Sequence, residues 1–351
     1  MPRIRRVQAG QPGLHQRRRG RGFCYEDAGG HPVSDPQTLE RIRGLTIPPA
    51  WSDVWICADP WGHIQATGTD AAGRRQYLYH ERWRRWRDRR KFRRMLAFGR
   101  ALPGLRDVVE EHLEARDLSR ERVLACAVRL LDLGGFRVGG EIYAERNGSF
   151  GLATLRKEHV RVRGEAISFD FTAKGGKRRV LVVSDPGAAA VLRSLKARRD
   201  GGGDLLAHRE GRDWRDVRSA DINAYLKEVA GDGFTAKDFR TWNATVLAAV
   251  AVAARSEVGP SLRARKRAAA AAMKQVAEHL GNTPSVCRAS YVDPRVIDRF
   301  LEGEVAEIPR IALDDDGVLE LDDRSLREAV EAAVLRLLAG SVVPVSRRPA
   351  A

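Results

Sequence analysis

The chain has 351 residues, of which 43% are hydrophobic, so it is long enough for two domains and too apolar to be wholly disordered. Its 62 lysines and arginines outnumber 46 acidic residues, and the net charge of +16 favours a polyanionic partner such as nucleic acid. No apolar run is long enough to span a membrane, which excludes a membrane-spanning protein. The four cysteines are scattered without a Cys-x-x-Cys pair, which excludes a disulfide scaffold and a cysteine zinc site. Together with the lack of a secretory signal, this predicts a cytoplasmic protein.

The positive charge is concentrated near the N-terminus. Residues 1–100 hold 21 basic and 9 acidic residues, a net charge of +12, whereas the remainder has a net charge of +4. This asymmetry predicts a module that grips a polyanion beside a nearly balanced globular domain. An arginine-rich solvated surface would give the same composition, so charge alone only makes nucleic acid the favoured partner.

The first ninety residues predict an arm followed by a small β-rich domain. Residues 1–21 contain an arginine run and few apolar residues, which is typical of a flexible basic arm. Residues 22–90 contain short strand-like runs at 53–57 and 63–68, separated by proline and glycine. A basic helix is predicted from Glu81 to about Gly99, and its aromatic residues are expected to pack in a core or against another domain rather than to stack on bases.

Residues 91–320 predict a mostly helical domain with a small antiparallel sheet. An amphipathic helix is expected at 120–133, and an alanine-rich pair at 244–254 and 268–280. Alternating apolar residues near Phe169, followed by two glycines, predict a β-hairpin. The expected fold class is therefore α+β.

Several helix starts can be predicted from capping residues. Thr235 is expected to cap the helix that carries Arg240, and Thr283 to cap a short helix that ends near Tyr291. Residues 321–351 are expected to form a C-terminal helix, which begins near Ser325 with Glu328 completing a capping box, and a disordered tail.

Some residues in these elements have the chemistry that cleavage of a phosphodiester without a metal requires. Arginine can hold two oxygens of a phosphate and keeps its charge. A positioned lysine can protonate the leaving 5′ oxygen. A tyrosine phenol, whose ordinary pKa is about 10, forms a covalent link that can be reversed without ATP. The candidates are Arg137, Lys174, Arg240 and Tyr291.

Each candidate also has an ordinary structural interpretation. Arg137 lies between two glycine pairs and could be a helix-exit arginine in a mobile loop. Lys174, at a hairpin tip, could be a solvated cation. Arg240 needs an anionic partner, which could be a structural carboxylate. Tyr291 could be a tyrosine at the core edge with its hydroxyl at the surface.

Short segments between about residues 22 and 301 occur in an order that identifies a family. They read GRRQYLYH at 73–80, FRVG at 136–139, GLATL at 151–155, the hairpin with Lys174, KDFRTW at 237–242, and GNTP at 281–284 followed by Tyr291. In this order they resemble the bacterial, poxvirus-like type IB DNA topoisomerases. The ordered set is specific, although no single segment is.

The resemblance implies a DNA transesterase. Tyr291 would attack the backbone and form a 3′-phosphotyrosyl link, and the freed 5′ hydroxyl would reseal the strand after the DNA rotates. Arg137 and Arg240 would clamp the non-bridging oxygens. Lys174 would be the general acid, and Lys237 would assist the proton transfer.

Further residues are implied by position. Asn282 occupies the place where some relatives have a histidine that hydrogen-bonds the phosphate, and an amide can donate that bond but cannot become charged. Gln76, Tyr77 and Tyr79 match DNA contacts of the N-terminal domain, and Tyr143 matches a backbone contact. Without the resemblance, Tyr77 and Tyr79 could equally be two buried aromatics of a strand.

The resemblance also implies how the protein works as a whole. The two domains would close as a clamp on double-stranded DNA, and the reaction would need neither a metal nor another cofactor. We expect a monomer that acts at the bacterial nucleoid and has no membrane partner.

Two alternatives are open at this point. A tyrosine recombinase or integrase uses the same nucleophile, but it usually has His-x-x-Arg where this chain has KDFR at 237–240, and it lacks the β-rich segment around Gln76. A non-catalytic architectural DNA-binding protein would share the charge pattern without needing every catalytic position. A metal-dependent or ATP-driven nuclease fits poorly because no P-loop and no carboxylate-rich metal motif is found.

Overall fold

The computed structural model describes residues 3–20, 22–199, 202–256, 261–309, 323–340 and 343–344. The chain divides into two units, Met1–Arg93 and Arg94–Ala351. The first contains an antiparallel sheet and the second is mostly helical, so the predicted α+β class is confirmed. Within the described ranges, every helix is too short or too polar to span a bilayer.

The N-terminal unit is organised around a five-stranded sheet. Its strands are β1 (Leu14–Arg19), β2 (Gly22–Glu26), β3 (Ser52–Ile56), β4 (Ile64–Thr69) and β5 (Arg75–Tyr79). They lie in the order β2-β1-β3-β4-β5, and each neighbouring pair is antiparallel. Helix α1 (Pro36–Gly44) begins at the N-cap Asp35 and contributes Ile42 to the core. Strands β3 and β4 confirm the strands predicted at 53–57 and 63–68.

The first strand occupies much of the segment in which the sequence predicts a flexible arm, residues 1–21. Leu14–Arg19 pairs with both β2 and β3. Leu14 is buried in the core, while Arg17 extends outward and donates to Glu26, with Nε–Oε2 at 3.0 Å. Backbone pairing does not require apolar side chains at solvent-facing positions. The prediction of a flexible arm was therefore wrong for this segment.

Helix α2 (Glu81–Glu114) is longer than the sequence predicts. The prediction ends it near Gly99, before Pro103, but the helix continues through the proline. A proline inside a helix removes a backbone hydrogen bond and costs about 3 kcal/mol. Leu102 and Leu105, on either side of it, are both buried, and their packing offsets this cost.

The second unit is built from helices that pack around one central helix. The described helices are α3 (Arg120–Gly134), α4 (Glu141–Asn147), α5 (Pro186–Ala197), α6 (Ser219–Ala230), α7 (Ala236–Ala253), α8 (Leu262–Leu280), α9 (Pro284–Ser290), α10 (Pro294–Glu302) and α11 (Arg324–Ala339), with 3₁₀ turns at Leu152–Thr154 and Lys157–His159. Nearly every residue of α7 is buried, and α7 contacts α3, α6, α8, α10 and α11. Helices α3, α7 and α8 confirm the amphipathic helix and the alanine-rich pair predicted from the sequence.

A small antiparallel sheet also belongs to the second unit. Its strands are β6 (Val160–Arg163), β7 (Ala166–Ala173) and β8 (Lys177–Ser184), in that order. Ala173 pairs with Lys177, so Lys174, Gly175 and Gly176 form the tip of a hairpin, as predicted. A separate two-stranded hairpin joins β9 (Ala207–Glu210) to β10 (Asp213–Asp216).

Helix α11 is attached to the second unit by a buried ionic network. Arg106 of α2 donates to both carboxylate oxygens of Asp132 in α3 and of Glu331 in α11, at 2.7–3.2 Å. Trp242 of α7 donates to the same Glu331, with Nε1–Oε1 at 3.1 Å. Burial by itself raises the pKa of Asp132, but the charges of Arg327 and Arg106 outweigh burial and hold that pKa below its usual value. Because removal of one partner would leave a buried charge uncompensated, the network fixes these helices to one another.

The C-terminal helix begins one residue earlier than predicted and with a different cap. Asp323 is the N-cap, and its carboxylate accepts a backbone N–H of the first turn at 2.7 Å. Ser325 lies inside the helix, and Glu328 pairs with Arg324 at 2.9 Å instead of completing a capping box. Because Asp323, not Ser325, occupies the N-cap position, the predicted box does not form.

The predicted disordered tail falls mostly outside the described residues. Val343–Pro344 (β12) is described, and it pairs antiparallel with β11 (Glu304–Val305). Residues 341–342 and 345–351 lie outside the described ranges, as does the segment 310–322 that precedes α11.

Candidate active site

The site forms where α3 and α8 end. Gly135 follows α3 with φ 54° and Gly281 follows α8 with φ 63°, in the left-handed region that glycine adopts without steric cost. Asn282 directly follows Gly281, and Arg137 lies two residues after Gly135. Arg137 Nη2 donates a hydrogen bond to Asn282 Oδ1, which joins segments 145 residues apart.

Arg240 links the two helix ends through its side chain. It lies in the first turns of α7, after the predicted N-cap Thr235, and only 3% of its surface is exposed. Its Nη1 donates to the carbonyl of Gly135, and its Nη2 donates to the carbonyl of Leu280 at 3.1 Å. The last carbonyls of a helix lack intrahelical donors and carry the negative end of the helix dipole. The Arg240 guanidinium therefore caps α3 and α8 at once.

A second arginine, which sequence reasoning missed, makes the same kind of contact. Arg179 of β8 is half-buried, and its Nη2 donates to the carbonyls of Gly134 at 3.0 Å and His279 at 3.2 Å. The neighbouring Arg178 is exposed and pairs with Asp170. The sequence signal that could have identified Arg179 is the alternation of side chains along β8, which turns Arg178 outward and Arg179 inward.

The guanidinium groups at the site carry like charges in close proximity. Burial, followed by the charges of Arg240 and Arg137, lowers the pKa of Arg179 to about 10. Burial, followed by Arg137, lowers the pKa of Arg240 to about 10, and Tyr291 opposes this shift. In the described part of the chain, these three arginines donate to backbone carbonyls and to Asn282 rather than to carboxylates.

Several donors of this cluster are unused. Arg179 Nε, Arg240 Nε and Asn282 Nδ2 are buried, and they have no hydrogen-bond partner among the described residues. A buried donor without a partner costs free energy unless a ligand satisfies it. Unsatisfied donors beside mutually repelling cations are the features expected of an anion site.

Tyr291 ends the short helix α9. Thr283 is the N-cap of this helix and Pro284 is its first residue, as predicted. Tyr291 is the C-cap residue, and its half-buried ring has its centroid 5.2 Å from the guanidinium carbon of Arg240. The structure therefore brings together four of the predicted residues, namely Arg137, Arg240, Asn282 and Tyr291.

The two lysines are not in contact with this cluster. Lys174 is exposed at the tip of the β7–β8 hairpin, and Lys237 is exposed in the first turn of α7, about one turn before Arg240. Across the described ranges, neither side chain forms a hydrogen bond or an ion pair. Both cations are therefore available to an incoming ligand.

A basic cavity of 340 Å³ opens beside the cluster. Its polar lining residues are Arg137, Lys177, Arg178, Arg179, Glu278, His279 and Asn282. Four of these are permanent cations and one is a carboxylate, so the cavity favours an anionic ligand.

Two family models match this sequence. The model of the eukaryotic DNA topoisomerase I catalytic core matches residues 80–302, and that of the bacterial DNA topoisomerase IB N-terminal domain matches residues 22–70. The chain belongs to the type IB DNA topoisomerases. These enzymes are isomerases of DNA, and the first match contains Arg137, Lys174, Arg240, Asn282 and Tyr291.

Two viral topoisomerases are similar to this chain over most of its length, and a plant topoisomerase is similar over about a third of it. DNA topoisomerase 1B of Acanthamoeba polyphaga mimivirus is 30% identical over 285 residues, which are 80% of this chain and 85% of that protein. DNA topoisomerase 1B of Vaccinia virus (strain Copenhagen) is 22% identical over 275 residues, 76% of this chain and 84% of that protein. DNA topoisomerase 1 of Daucus carota is 31% identical over 130 residues, 36% of this chain and 15% of that protein. The family resemblance seen in the sequence is confirmed, and these matches give no support to the recombinase alternative.

In this type IB topoisomerase, the N-terminal unit presents two aromatic rings on β5. Tyr77 and Tyr79 stack with centroids 6.1 Å apart and are 45% and 37% exposed, so the alternative of two buried aromatics is wrong. Gln76 lies on the opposite face of the strand and donates to Asp70 at 2.8 Å. Tyr143 belongs to α4, and its side chain lies outside the described part of the structure.

A large basic groove also belongs to the N-terminal unit. The groove has a volume of 980 Å³ and is lined by Arg3, Ile4, Arg5, Arg6, Arg82, Trp83, Arg85, Trp86 and Arg89. Trp83 and Trp86 stack with centroids 5.0 Å apart, and Trp86 is 41% exposed. The expectation that the aromatic residues of this helix pack in a core or against another domain is met in the core by Phe92, which is buried, whereas the exposure of Trp86 contradicts core packing of that ring. The groove concentrates arginines on one surface of the topoisomerase.

The arginine cluster predicts selective stabilisation by an oxyanion. Phosphate should raise the unfolding temperature more than chloride at equal ionic strength, by the equivalent of about 2.7 kcal/mol at a concentration of 100 Kd. Arg137→Gln should lose the anion-specific part of this gain, whereas Arg215→Gln, which changes an exposed arginine of β10 that pairs with Glu210, should keep it. Differential scanning calorimetry checks this, and comparing variants in the same salts removes the general effect of phosphate on folding. Equal gains in Arg137→Gln and wild type would contradict the assignment.

Proposed function

We propose that this topoisomerase relaxes supercoiled duplex DNA by cutting one strand through a 3′-phosphotyrosyl intermediate on Tyr291 and then resealing it. The observation that carries the proposal is the position of the Tyr291 ring, 5.2 Å from the guanidinium carbon of Arg240, beside donors that lack a partner in the described chain. A phosphodiester bound to these donors would supply the missing anion. It would also bring its phosphorus within reach of the phenol oxygen.

The residues of the cluster fit the charge changes of this reaction. Tyr291 would lose its phenol proton to the solvent, and its phenolate oxygen would bond to phosphorus as the bond from phosphorus to the 5′ oxygen breaks. Arg137 and Arg240 would hold the non-bridging oxygens, and Nδ2 of Asn282 would donate one neutral hydrogen bond to them. Because carbonyls at two helix ends already orient Arg240, little reorganisation would accompany the reaction.

The exposed lysines fit the role of proton donors. The 5′ alkoxide is a poor leaving group and needs a proton as it departs. Lys174, at a hairpin tip and without a competing partner in the described chain, would give that proton, and Lys237 would assist it. In resealing, the 5′ hydroxyl returns the proton to the lysine, attacks phosphorus and releases the phenolate of Tyr291.

The proposed reaction uses neither ATP nor a metal cofactor. The phosphotyrosyl ester keeps the phosphoester bond that resealing requires. The arginines and Lys174 would supply the positive charge at the phosphate. Since all these residues belong to one chain, we propose that the enzyme acts as a monomer, and we place its action at the bacterial nucleoid.

The N-terminal unit would contribute to binding of the same duplex, as in the clamp expected from the resemblance. Tyr77 and Tyr79 would contact the DNA from β5, and Gln76 would reach a base edge after releasing Asp70. Tyr143 would contact the backbone. The arginine groove would hold phosphates without sequence preference.

Replacement of the nucleophile is the first test. Tyr291→Phe should abolish relaxation of negatively supercoiled plasmid in EDTA without ATP and leave duplex binding nearly intact, since only the phenol oxygen is lost. After a denaturing quench, wild-type protein should be attached to the 3′ side of the break in labelled DNA. An active Phe variant or a 5′ attachment would contradict the mechanism, and binding without relaxation by the wild type would favour an architectural protein.

A substrate with an altered leaving group tests Lys174. Lys174→Ala should slow cleavage by roughly 10²–10⁴-fold, the range of general acid catalysis. A substrate with sulfur in place of the bridging 5′ oxygen has a better leaving group and should recover most of that loss in single-turnover assays. Equal defects on both substrates would assign Lys174 to phosphate binding instead.

A salt series tests the arginine groove. Each phosphate contact contributes a slope of about −0.9 to a plot of log affinity against log salt. Arg89→Ala should reduce the magnitude of the slope by about that amount at every DNA sequence, and the exposed Arg43→Ala, in α1 of the same unit, should not. Fluorescence anisotropy with duplex DNA gives the measurement. An unchanged slope in Arg89→Ala would show that the groove is only a solvated surface.

A further inference from the structure

Arg179 differs from the neighbouring arginine of its strand. Arg178 is exposed and forms a bidentate ion pair with Asp170, with Nε–Oδ1 at 2.8 Å and Nη2–Oδ2 at 2.6 Å. Arg179 instead donates from Nη2 to two backbone carbonyls, and its Nε is buried without a partner in the described chain. A guanidinium that contacts other arginines rather than a carboxylate is costly to hold in place, so this arrangement calls for a specific role.

The two carbonyls belong to different helices. Gly134 is the last residue of α3, and His279 lies in the last turn of α8. Both carbonyls are therefore among the terminal acceptors that a cation stabilises at a helix C-terminus. Gly281, which follows α8, leaves little space here, since a Cβ at that position would lie 3.1 Å from Arg179 Nη1. Arg179 thus fills the gap between the two helix ends.

The same helix ends carry two residues of the proposed site. Arg137 follows the end of α3, Asn282 follows the end of α8, and the two side chains are hydrogen-bonded. Arg240 holds the adjacent carbonyls of Gly135 and Leu280. Two arginines from different elements therefore hold one junction, each with a donor for both helices.

Arg179 also links this junction to the hairpin of the proposed general acid. It lies on β8, and the tip of the β7–β8 hairpin carries Lys174. The hydrogen bonds of Arg179 consequently connect the hairpin to the chain segments that present Arg137 and Asn282. A shift of about 1 Å in catalytic groups can cost on the order of 10²-fold in rate.

We propose that Arg179 is a positioning residue for strand cleavage, which joins the ends of α3 and α8 to the hairpin and acts through Arg137 and Asn282. The proposal rests on the proposed function of Tyr291 as the nucleophile. It goes further by assigning a role to an arginine that itself need not touch the phosphate.

Single-turnover cleavage of a labelled duplex at saturating enzyme tests this role. Arg179→Gln should lower the rate on the order of 10²-fold with unchanged duplex affinity, because the site is misplaced rather than lost. Arg179→Lys should restore part of the rate, since an ammonium can still donate to both carbonyls. Arg215→Gln, which changes an exposed arginine of β10 that pairs with Glu210 away from the cavity, should cleave like the wild type.

A mutant cycle that removes both dependent residues distinguishes positioning from direct contact. If Arg179 acts through Arg137 and Asn282, adding Arg179→Gln to the Arg137→Ala/Asn282→Ala variant should slow cleavage no further. A multiplied loss in the triple variant would overturn the proposal, because it would show an independent contact with the phosphate. A wild-type rate in Arg179→Gln would overturn it as well.

The outcomes also separate this proposal from the function on which it rests. If the wild type forms no phosphotyrosyl adduct, the proposed function fails. If the wild type forms the adduct and the Arg179 variants form the adduct equally fast, only the positioning role of Arg179 fails. Circular dichroism and thermal unfolding monitor the fold. Should Arg179→Gln not fold, Arg179→Met takes its place, because it keeps the length of the side chain without a buried charge or a donor, and a wild-type rate in that variant overturns the proposal.

Discussion

The hydrogen bonds from Arg179 and Arg240 to the last carbonyls of α3 and α8 are the interaction on which the rest of the site depends. Helix ends leave carbonyls without donors, and a planar guanidinium can reach two of them at once. Joining the two ends brings Arg137 and Asn282 into hydrogen-bonding distance. The rigid backbone of two helices thus orients groups that would otherwise lie on loops.

The same arrangement has an electrostatic cost. Burial and the neighbouring guanidinium groups lower the pKa values of Arg179 and Arg240 to about 10, and buried donors remain unused within the described residues. A phosphodiester would remove both penalties, since it supplies negative charge and hydrogen-bond acceptors together. Part of the binding free energy of DNA would therefore come from relief of repulsion in the free enzyme. Burial of the apolar core of the unit offsets this cost, and the buried network of Arg106 with Asp132 and Glu331 fixes the helices to one another.

That network extends beyond the segment matched by the topoisomerase catalytic core, residues 80–302. Helix α11 (Arg324–Ala339) lies outside the match, yet its Glu331 accepts hydrogen bonds from Arg106 and Trp242. Trp242 lies two residues after Arg240 on α7. The C-terminal helix therefore belongs to the support of the site, because it fixes the helix that carries Arg240.

Sequence alone determined the local elements and the chemistry. Apolar periodicity, the glycine pair at the hairpin and the cap Thr283 depend on neighbouring residues, and the structure confirms each. Only the tertiary structure decided that Leu14–Arg19 is a strand and that α2 continues through Pro103, because pairing and packing with distant residues outweigh local propensity. For the same reason, Arg137 could be chosen as a candidate from its residue type and family position, whereas Arg179 could not. The alternation of β8 turns Arg179 inward, but its contacts with carbonyls 45 and 100 residues away depend on the tertiary fold.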